Sequence, residues 1–309
     1  MSTRWQISYG KLCVPVYRVY ATPLKGITPI HESSFTGRDN VVFALEVDVE
    51  VFGDNFLPAY TQGDNTNVVA TDSMKNFVLK QALIFDGATL EDFLAMLGRY
   101  FLETYPQMEQ LRLTGRELPF AAATVPDGIA FKLSNVLFSR SHADYAMAMV
   151  DFSRVGAEAV ISAHRCGRVG LQLLKVTGSA FTRFVRDSYT TLPERSDRPL
   201  FVYLDVYWKY TDSFDLVDPS FKHYVAAEQV RDFVQVVFHE FVSESIQHLV
   251  HEMGQRLLRR FPQLSEVSFE AQNRTKEPVA TSDTDAKVKV YSEPFPAYGT
   301  IKLTLTRDI

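Results

Sequence analysis

Cysteine is scarce in this sequence, since only Cys13 and Cys166 occur among its 309 residues. They lie far apart and form no CxxC pair, which argues against a disulfide framework and against a zinc site built on cysteines. His239, His248 and His251 do not form the HExxH pattern of a metalloprotease. No dinucleotide-binding motif is present either. We therefore expect neither a metal nor an organic cofactor.

The sequence also lacks long apolar runs and a surplus of basic charge. No apolar run reaches membrane-spanning length, and the first residues, MSTRWQISYGK, lack the apolar core of a signal peptide. We therefore expect a cytoplasmic protein with no membrane partner. The net charge is −5, with acidic and basic residues mixed along the chain, so we expect no nucleic-acid partner. A small anion could still bind where an arginine overrides the overall sign.

The chain contains two copies of one helical segment. Its length and its 46% hydrophobic residues suffice for two medium-sized domains with full cores. LGRYFLETYPQMEQLRL, from Leu97, aligns without gaps on MGQRLLRRFPQLSEVSF, from Met253, at an offset of 156 residues (253 − 97). The helix-start residues match as well, because Thr89 falls on Ser245. We interpret the similarity as an internal duplication.

Alternating segments flank each pair of predicted helices. In VVFALEVDVEVF (41–52), Glu46, Asp48 and Glu50 share one face while apolar residues occupy the other. Each half is predicted to contain two strands, two helices and two strands, which is an α+β arrangement of antiparallel sheets with helices on the apolar face. We divide the chain into residues 1–150 and 151–309. The pattern is weakest between residues 114 and 155, and residues 284–298 are predicted to be rich in turns.

The start of the first predicted helix carries more polar residues than one cap requires. In VVATDSMKNFVLKQAL (68–83), each side chain of Thr71-Asp72-Ser73 could cap free backbone N–H groups. The second copy has Ala227-Glu228 at the place of Thr71-Asp72. Because that helix starts without the hydroxyl, Thr71 is expected to have a task besides starting its own.

Several motifs together resemble the urate oxidase, or uricase, family. They follow one another along nearly the whole chain, as YGK (9–11), VVATDSMKN (68–76), GSAFTRFVRDSYTTL (178–192), Arg198, SIQ (245–247) and Asn273. The resemblance implies the tunnelling fold, with two tandem ββααββ units per chain that close into a barrel by oligomerisation, as a homotetramer with sites shared between subunits. It also implies oxidation of urate with O₂ and water to 5-hydroxyisourate and H₂O₂, without metal or organic cofactor.

The resemblance assigns the proton chemistry to the first half of the chain. Taken alone, Lys11 reads as a solvated charge at the start of a strand and Thr71 as a helix cap. In the family they correspond to a general base and its partner, which relay protons between urate, water and peroxide. Thr71 and Asp72 are also expected to contact the substrate, and Asp72 and Ser73 are left to cap the helix.

The second half supplies the substrate-binding residues that the resemblance implies. Phe181 would stack on the flat purine. Arg198 would offer parallel donors to the urate anion, a geometry that lysine lacks. The Gln247 amide and the free Ile246 N–H would meet the opposite edge of the ring. Asn273 would hold O₂ or water above it. Without the resemblance, each has an ordinary interpretation as a core, surface or solvated residue.

One position departs from the family pattern. Many members carry a histidine just after this asparagine, whereas Arg274 and Thr275 stand here. Three possibilities stay open: the Lys11–Thr71 pair suffices, another residue or a water substitutes, or activity is reduced. Two alternative functions follow. The chain could be a catalytically silent purine-binding paralogue, or a pterin- or GTP-acting tunnelling-fold enzyme, although the latter normally needs a zinc site that this sequence lacks.

Overall fold

The computed structural model describes residues 4–140, 143–274, 276–292 and 296–308, and divides into two compact units. The first unit comprises Met1–Pro29, Phe35–Cys166 and Asp212–Tyr224, and the second comprises Ile30–Ser34, Gly167–Thr211 and Val225–Ile309. Helices accompany antiparallel strands in each unit. The predicted α+β class is therefore confirmed.

The first unit contains most of the chain up to β7. Its elements are β1 (Ser8–Val19), β2 (Val42–Phe52), α1 (Leu57–Thr61), α2 (Thr71–Ile84), α3 (Leu90–Thr104), β3 (Gln110–Glu117), β4 (Phe120–Asp127), β5 (Ala130–Arg140), β6 (Tyr145–Val155) and the start of β7 (Glu158–Lys175). The sheet order is β1-β2-β3-β6-β7, and the β1–β2, β2–β3 and β3–β6 pairs are antiparallel. β4 and β5 form a separate hairpin. Residues 114–155, where the sequence pattern is weakest, therefore contain this hairpin and β6, which rejoins the main sheet.

The apolar face of this sheet is covered by helices, as the alternation predicts. Val47, Val49 and Val51 of β2 are fully buried. α2 packs on β1, and α3 packs on β3 and β6. The buried stripe of α3 recurs at helical spacing, with Phe93, Leu94, Leu97, Phe101 and Leu102. Each such side chain contributes roughly 1.5–3 kcal/mol on burial, so this interface stabilises the unit.

Ion pairs cross the polar face of the same sheet. Arg116 on β3 binds Asp48 of β2 at 2.6 Å and approaches Glu46 at 3.5 Å. Arg112 binds the Asp151 carboxylate of β6 through two nitrogens, at 2.7 and 2.8 Å. Their partial exposure limits what each pair contributes to stability, but the bidentate geometry fixes the arginine side chains across the strands.

The second unit contains the rest of the elements. They are the end of β7, β8 (Leu200–Tyr210), α4 (Ala227–Glu240), α5 (Ile246–Arg260), β9 (Leu264–Asn273), β10 (Glu277–Thr281), β11 (Lys289–Ser292) and β12 (Gly299–Thr306). The strand order is β7-β8-β9-β12, with antiparallel β8–β9 and β9–β12 pairs. α5 packs on β9 and β12. β10 and β11 pair separately, so the turn-rich segment also contributes a short strand.

The helices repeat with the offset read from the sequence. α2 (Thr71–Ile84) and α4 (Ala227–Glu240) differ by 156 at both bounds, as do α3 and α5. The predicted caps are confirmed, since Thr89 accepts from the Asp92 N–H and Ser245 from the His248 N–H, each at 3.1 Å. Both copies thus start their second helix in the same way.

The aligned glycines of α3 and α5 mark close contact between helix and sheet. A Cβ atom at Gly98 would lie 2.2 Å from the Phe152 ring of β6. A Cβ atom at Gly254 would lie 2.4 Å from a methyl group of Leu305 on β12. A side chain at either position would have to displace the strand side chain beneath it, so glycine permits this close contact in both copies.

An arginine from the strand side also binds the end of each of these helices. Arg154 of β6 donates to the carbonyls of Leu102, Tyr105 and Met108. Arg307, which follows β12, donates to the carbonyls of Leu258 and Leu264. The last four carbonyls of a helix lack partners within it, and a cation there also complements the helix dipole. These two arginines lie 153 rather than 156 residues apart (307 − 154), so the gapless alignment does not pair them.

One carboxyl group is buried in the core of the first unit. Glu91, in the first turn of α3, is 4% exposed and accepts a hydrogen bond from the Tyr224 hydroxyl at 3.0 Å. The buried Cys166 thiol is hydrogen-bonded to the same carboxyl. Burial raises the pKa of Glu91 to about 8, and it raises the pKa of the adjacent Asp92 to about 6. Glu91 is therefore protonated at neutral pH and bound within a polar cluster.

Candidate active site

Lys11 lies on β1 next to an irregularity in the strand. It pairs with Val49 of β2, and the register shifts between Lys11 and Val14. At this bulge Cys13 has a positive φ of 57°, and its N–H donates to the Asp48 carboxylate at 2.7 Å. Bulges re-aim neighbouring side chains and occur often beside active sites. The half-buried Lys11 is thus the last regularly paired residue before the strand bends.

The two residues before Lys11 connect β1 to its surroundings. The Tyr9 hydroxyl accepts a hydrogen bond from the Val69 N–H at 3.1 Å, and its ring meets Phe56 edge-on at 5.1 Å between centroids. A Cβ atom at Gly10 would lie 1.8 Å from the Val49 carbonyl oxygen, so only glycine fits there. Val69 lies two residues before α2. Tyr9 therefore positions the start of α2 against β1, a role that the YGK motif contains but that sequence reasoning missed.

Thr71 is the first residue of α2, and it is not the cap. The N-cap is Ala70, and no side chain caps this helix; the same holds for Ala226 at the start of α4. The prediction that Asp72 and Ser73 cap α2 is therefore wrong. The hydrogen bond from Val69 to Tyr9 fixes the entry of the chain instead. Free N–H groups remain at this helix start, where they and the dipole favour negative charge.

The structure brings Lys11 and the first turn of α2 together. The Asp72 carboxylate accepts hydrogen bonds from Lys75 at 2.5 Å and Asn76 at 3.1 Å. The hydrogen bond from Lys75 is the main reason that the pKa of Asp72 is lowered, and the nearby charge of Lys11 lowers it further. α2, which begins with Thr71 and Asp72, packs on β1, which carries Lys11, and the charge of Lys11 acts on the Asp72 carboxyl.

Phe181 and Arg198 lie together in the second unit. The Arg198 guanidinium carbon lies 5.3 Å from the centroid of the Phe181 ring, and Phe184 stacks on that ring at 4.9 Å. Burial lowers the pKa of Arg198. Its buried Nε atom finds no hydrogen-bond acceptor among the described residues. Because a buried donor without a partner costs free energy, this guanidinium is suited to an anionic ligand.

A backbone link holds this pair beside the start of α5. The Ala180 N–H donates to the Ser243 carbonyl and the Arg198 N–H to the Ser179 carbonyl, each at 2.8 Å. Ser243 is two residues before the Ser245 cap of α5. Ile246, which is buried, and Gln247, which is exposed, are the first two residues of that helix. The segment that carries Phe181 and Arg198 is therefore tied to the helix start that carries the other two predicted residues.

Asn273 ends β9 at the same end of the strand pair where β8 begins. It pairs with Val202, and β8 starts two residues after Arg198. The next residue, Arg274, is held between the rings of Tyr203 at 4.6 Å and Tyr298 at 4.0 Å. Arg274 also donates to the Gln272 side chain at 2.6 Å. Thr275, the other residue considered in place of the histidine, lies outside the described residues.

A cavity of about 790 Å³ opens beside Arg198 in the second unit. The described lining residues include five cations and two carboxylates, which are Arg195, Arg198, Lys276, Lys287, Lys289, Asp197 and Glu277. None of the other predicted substrate-binding residues is among them. In the parts of the chain that the structure describes, no three His, Cys, Asp or Glu side chains lie together as a metal site requires. No helix within those ranges is long and apolar enough to cross a membrane.

Comparison with known proteins decides the family. The uricase family model matches residues 9–147 and 164–302. The chain belongs to the uricase family. The motifs from which that resemblance was predicted fall within the matched ranges, so this prediction is confirmed.

Individual uricases resemble the chain over most of its length. A uricase of Halalkalicoccus jeotgali is 48% identical over 93% of this chain and 94% of that protein. The uric acid degradation bifunctional protein PucL of Bacillus subtilis is 45% identical over 98% of this chain, which spans 61% of that longer protein. The crystal structure of Bacillus sp. TB-90 urate oxidase superposes with a TM-score of 0.95 at 43% identity, over 98% of this chain and 100% of that chain.

Proposed function

We propose that this member of the uricase family is a cofactor-independent oxidoreductase that converts urate, O₂ and water to 5-hydroxyisourate and H₂O₂. The observation that carries the proposal is the pairing of the half-buried Arg198 guanidinium, whose Nε is buried without a partner among the described residues, with the Phe181 ring in a segment tied to the start of α5. This combination of a flat apolar surface, a cation with unsatisfied donors and backbone donors suits a planar oxyanion. The silent paralogue and the pterin or GTP enzyme are not favoured, since the uricase family model matches residues 9–147 and 164–302 and a uricase is 48% identical over 93% of the chain.

Binding falls to the second unit in this proposal. Phe181 stacks on the purine, and Arg198 donates to one edge of the urate anion through parallel N–H groups. The Gln247 amide and the Ile246 N–H bind the opposite edge. Asn273 holds O₂ or the attacking water above the ring. Held in this way, urate is fixed in position and orientation before any bond changes.

The proton transfers fall to Lys11 and Thr71. Lys11 accepts the proton that urate loses as it gives two electrons to O₂, and the Thr71 hydroxyl passes protons to the reduced oxygen, which leaves as H₂O₂. Water then adds to the oxidised ring to give 5-hydroxyisourate. Asp72 contacts the substrate from the same helix turn, where the dipole stabilises developing negative charge. Because Arg274 is engaged by Tyr203 and Tyr298, we propose that the Lys11–Thr71 pair works without a third side chain.

Assembly completes the site in this proposal. Residues 1–150 and 151–309 are two tandem tunnelling-fold units, which close into a barrel in a cytoplasmic homotetramer. Two features support it: β1 is an edge strand, and the polar face of β2 would line a hydrated interior. Lys11 and Thr71 of one chain then face Phe181, Arg198 and Gln247 of another.

Purified protein treated with EDTA is expected to consume urate and release one H₂O₂ per urate. Each reactive group in the proposal is a protein side chain or a substrate, so chelation should leave the rate unchanged. The measurements are urate absorbance, peroxide release and elemental analysis. One tightly bound metal per chain, together with loss of activity on its removal, would contradict the proposal.

Mixed oligomers test the shared site. Thr71→Ala and Arg198→Ala chains are each expected to be nearly inactive, but unfolding and refolding them together should restore activity. With random exchange, about a quarter of the interfaces receive two intact halves, because each site draws one half from each chain. Exchange is verified first by mass spectrometry with a labelled chain. A mixture that exchanges fully but stays as inactive as its parents would mean that each site is built within one chain.

A further inference from the structure

We propose that the cavity beside Arg198 is a cationic vestibule that concentrates the urate anion and raises its affinity for the site. This inference rests on the proposed function, because it takes urate as the ligand. It adds a role for Lys276, Lys287 and Lys289, which neither the sequence motifs nor the mechanism uses. The chemistry recognised is a small planar monoanion.

The charge of the cavity opposes that of the whole chain. The chain carries a net charge of −5, whereas the described lining carries five cations against two carboxylates. Asp197 accepts from the Thr177 hydroxyl at 2.6 Å and the Gly178 N–H at 2.7 Å, and these neutral donors leave its negative charge in place, so the described lining keeps a surplus of three positive charges (5 − 2). A concave surface lined by one sign of charge focuses the field and raises the local concentration of the opposite ion.

The lysines that line the cavity with Arg198 come from the segment after β9 and from the hairpin of β10 and β11. Lys276 follows β9 and lies 5.0 Å from the centroid of the Phe201 ring, close to the start of β8. Lys287 and Lys289 are exposed and belong to the hairpin of β10 and β11, where Lys289 pairs with Thr281. Since these lysines line the same cavity as Arg198, an anion in the cavity meets ammonium groups on flexible stems as well as the planar guanidinium.

Arg198 lines the cavity and also carries a buried donor without a partner among the described residues. This donor is its Nε atom, and Phe181 covers the guanidinium. Lys287 and Lys289 are too exposed to form tight ion pairs with urate, but exposed charges act on an approaching anion over about 8–10 Å at ordinary salt. Their contribution is therefore expected in the salt-dependent part of kcat/KM and not in kcat.

Charge reversal of the hairpin tests the vestibule. The double variant Lys287→Glu/Lys289→Glu is expected to lower kcat/KM for urate about tenfold at low ionic strength, with kcat changed less than twofold. Raising the salt to ~0.5 M should reduce the difference to under about twofold. Lys287→Arg/Lys289→Arg, which keeps the charge, should behave as the wild type. If the charge-reversed variant folds poorly, Lys287→Gln/Lys289→Gln replaces it in the test. This variant should show a smaller decrease of kcat/KM at low ionic strength.

The matched control is Lys25→Glu/Lys222→Glu, which makes the same change in total charge on exposed residues of the first unit that do not line the cavity. It should leave kcat/KM within about twofold of the wild type. An equal loss in the control, or no loss in the hairpin variant, overturns the vestibule. Urate binding measured by calorimetry without O₂ separates the two proposals. If the protein does not oxidise urate but the hairpin variant binds it with a tenfold larger Kd than the wild type, the vestibule proposal stands and the oxidase proposal is refuted.

Discussion

Thr71→Ala or Lys11→Ala is expected to lower kcat about 10²–10⁴-fold while urate still binds without O₂ at nearly the wild-type Kd. The relay acts only as protons move in the transition state, so its loss should spare ground-state binding. The second repeat provides an argument that Thr71→Ala folds, because α4 begins with Ala227 at the equivalent place. Stopped-flow oxidation and anaerobic calorimetry give the two quantities.

Two further variants distinguish relay from structure. Thr71→Ser keeps a hydroxyl and should recover much of kcat, whereas Lys11→Arg keeps the charge but cannot accept a proton and should stay slow. Arg198→Ala should show the opposite pattern, with binding weakened by roughly 2–4 kcal/mol, or about 30- to 1000-fold in Kd. Normal urate binding by Arg198→Ala would refute its assignment, and loss of binding in Thr71→Ala would refute the separation of roles.

The free energy of unfolding of the wild type is expected to fall as pH rises from about 5 to about 8, and to fall much less in Glu91→Gln. The folded-state pKa of Glu91 is about 8 and its ordinary value is 4.5. Between these values the folded state holds a proton that the unfolded state has lost, so stability is full below pH 4.5 and declines up to pH 8. At about 1.4 kcal/mol per pKa unit, ionisation of Glu91 lowers the free energy of unfolding of the wild type by about 5 kcal/mol at most.

The groups that face Glu91 define the control. Tyr224 and Cys166 are hydrogen-bonded to it, and the charges of Glu117 and Asp92 oppose its ionisation. Burial also raises the pKa of Asp92, to about 6. The free energy of unfolding of both the wild type and Glu91→Gln therefore falls somewhat with rising pH because of Asp92. The difference between wild type and Glu91→Gln isolates Glu91. Denaturant midpoints at pH 5.5, 7 and 8.5 measure it, and parallel pH profiles would contradict the assignment.

Local patterns in the sequence predicted the helices well, because the hydrogen bonds and caps of a helix join residues that are close in sequence. The repeat and the 3.6-residue period placed α3 and α5 together with their Thr89 and Ser245 caps. The cap of α2 was predicted wrongly, since it depends on a bond from Val69 to Tyr9, 60 residues away. Tyr9 was missed for the same reason. A hydrogen bond between residues so far apart in sequence cannot be predicted from composition or local spacing.

The predicted site residues had to be taken from family resemblance, because they come from distant segments. The structure packs α2 on β1, which places the charge of Lys11 near Asp72, and backbone hydrogen bonds tie Phe181 and Arg198 to the segment before α5. Their roles stay predictions until the variants are measured. The lysine-lined cavity could not be predicted, since it joins residues 176–199, 276–278 and 286–291, which show no common motif.

The arginines that bind the ends of α3 and α5 have a consequence for local unfolding. Helix ends normally fray, and the final turn is where backbone amides exchange with solvent first. Here Arg154 of β6 binds the Leu102 carbonyl in the last turn of α3 and the carbonyls of two residues that follow the helix. Arg307, which follows β12, binds the Leu258 carbonyl in the last turn of α5 and the carbonyl of the residue that begins β9. Opening the last turn of either helix therefore requires the neighbouring strand to release its arginine as well. Each helix end and its strand thus open as one cooperative unit.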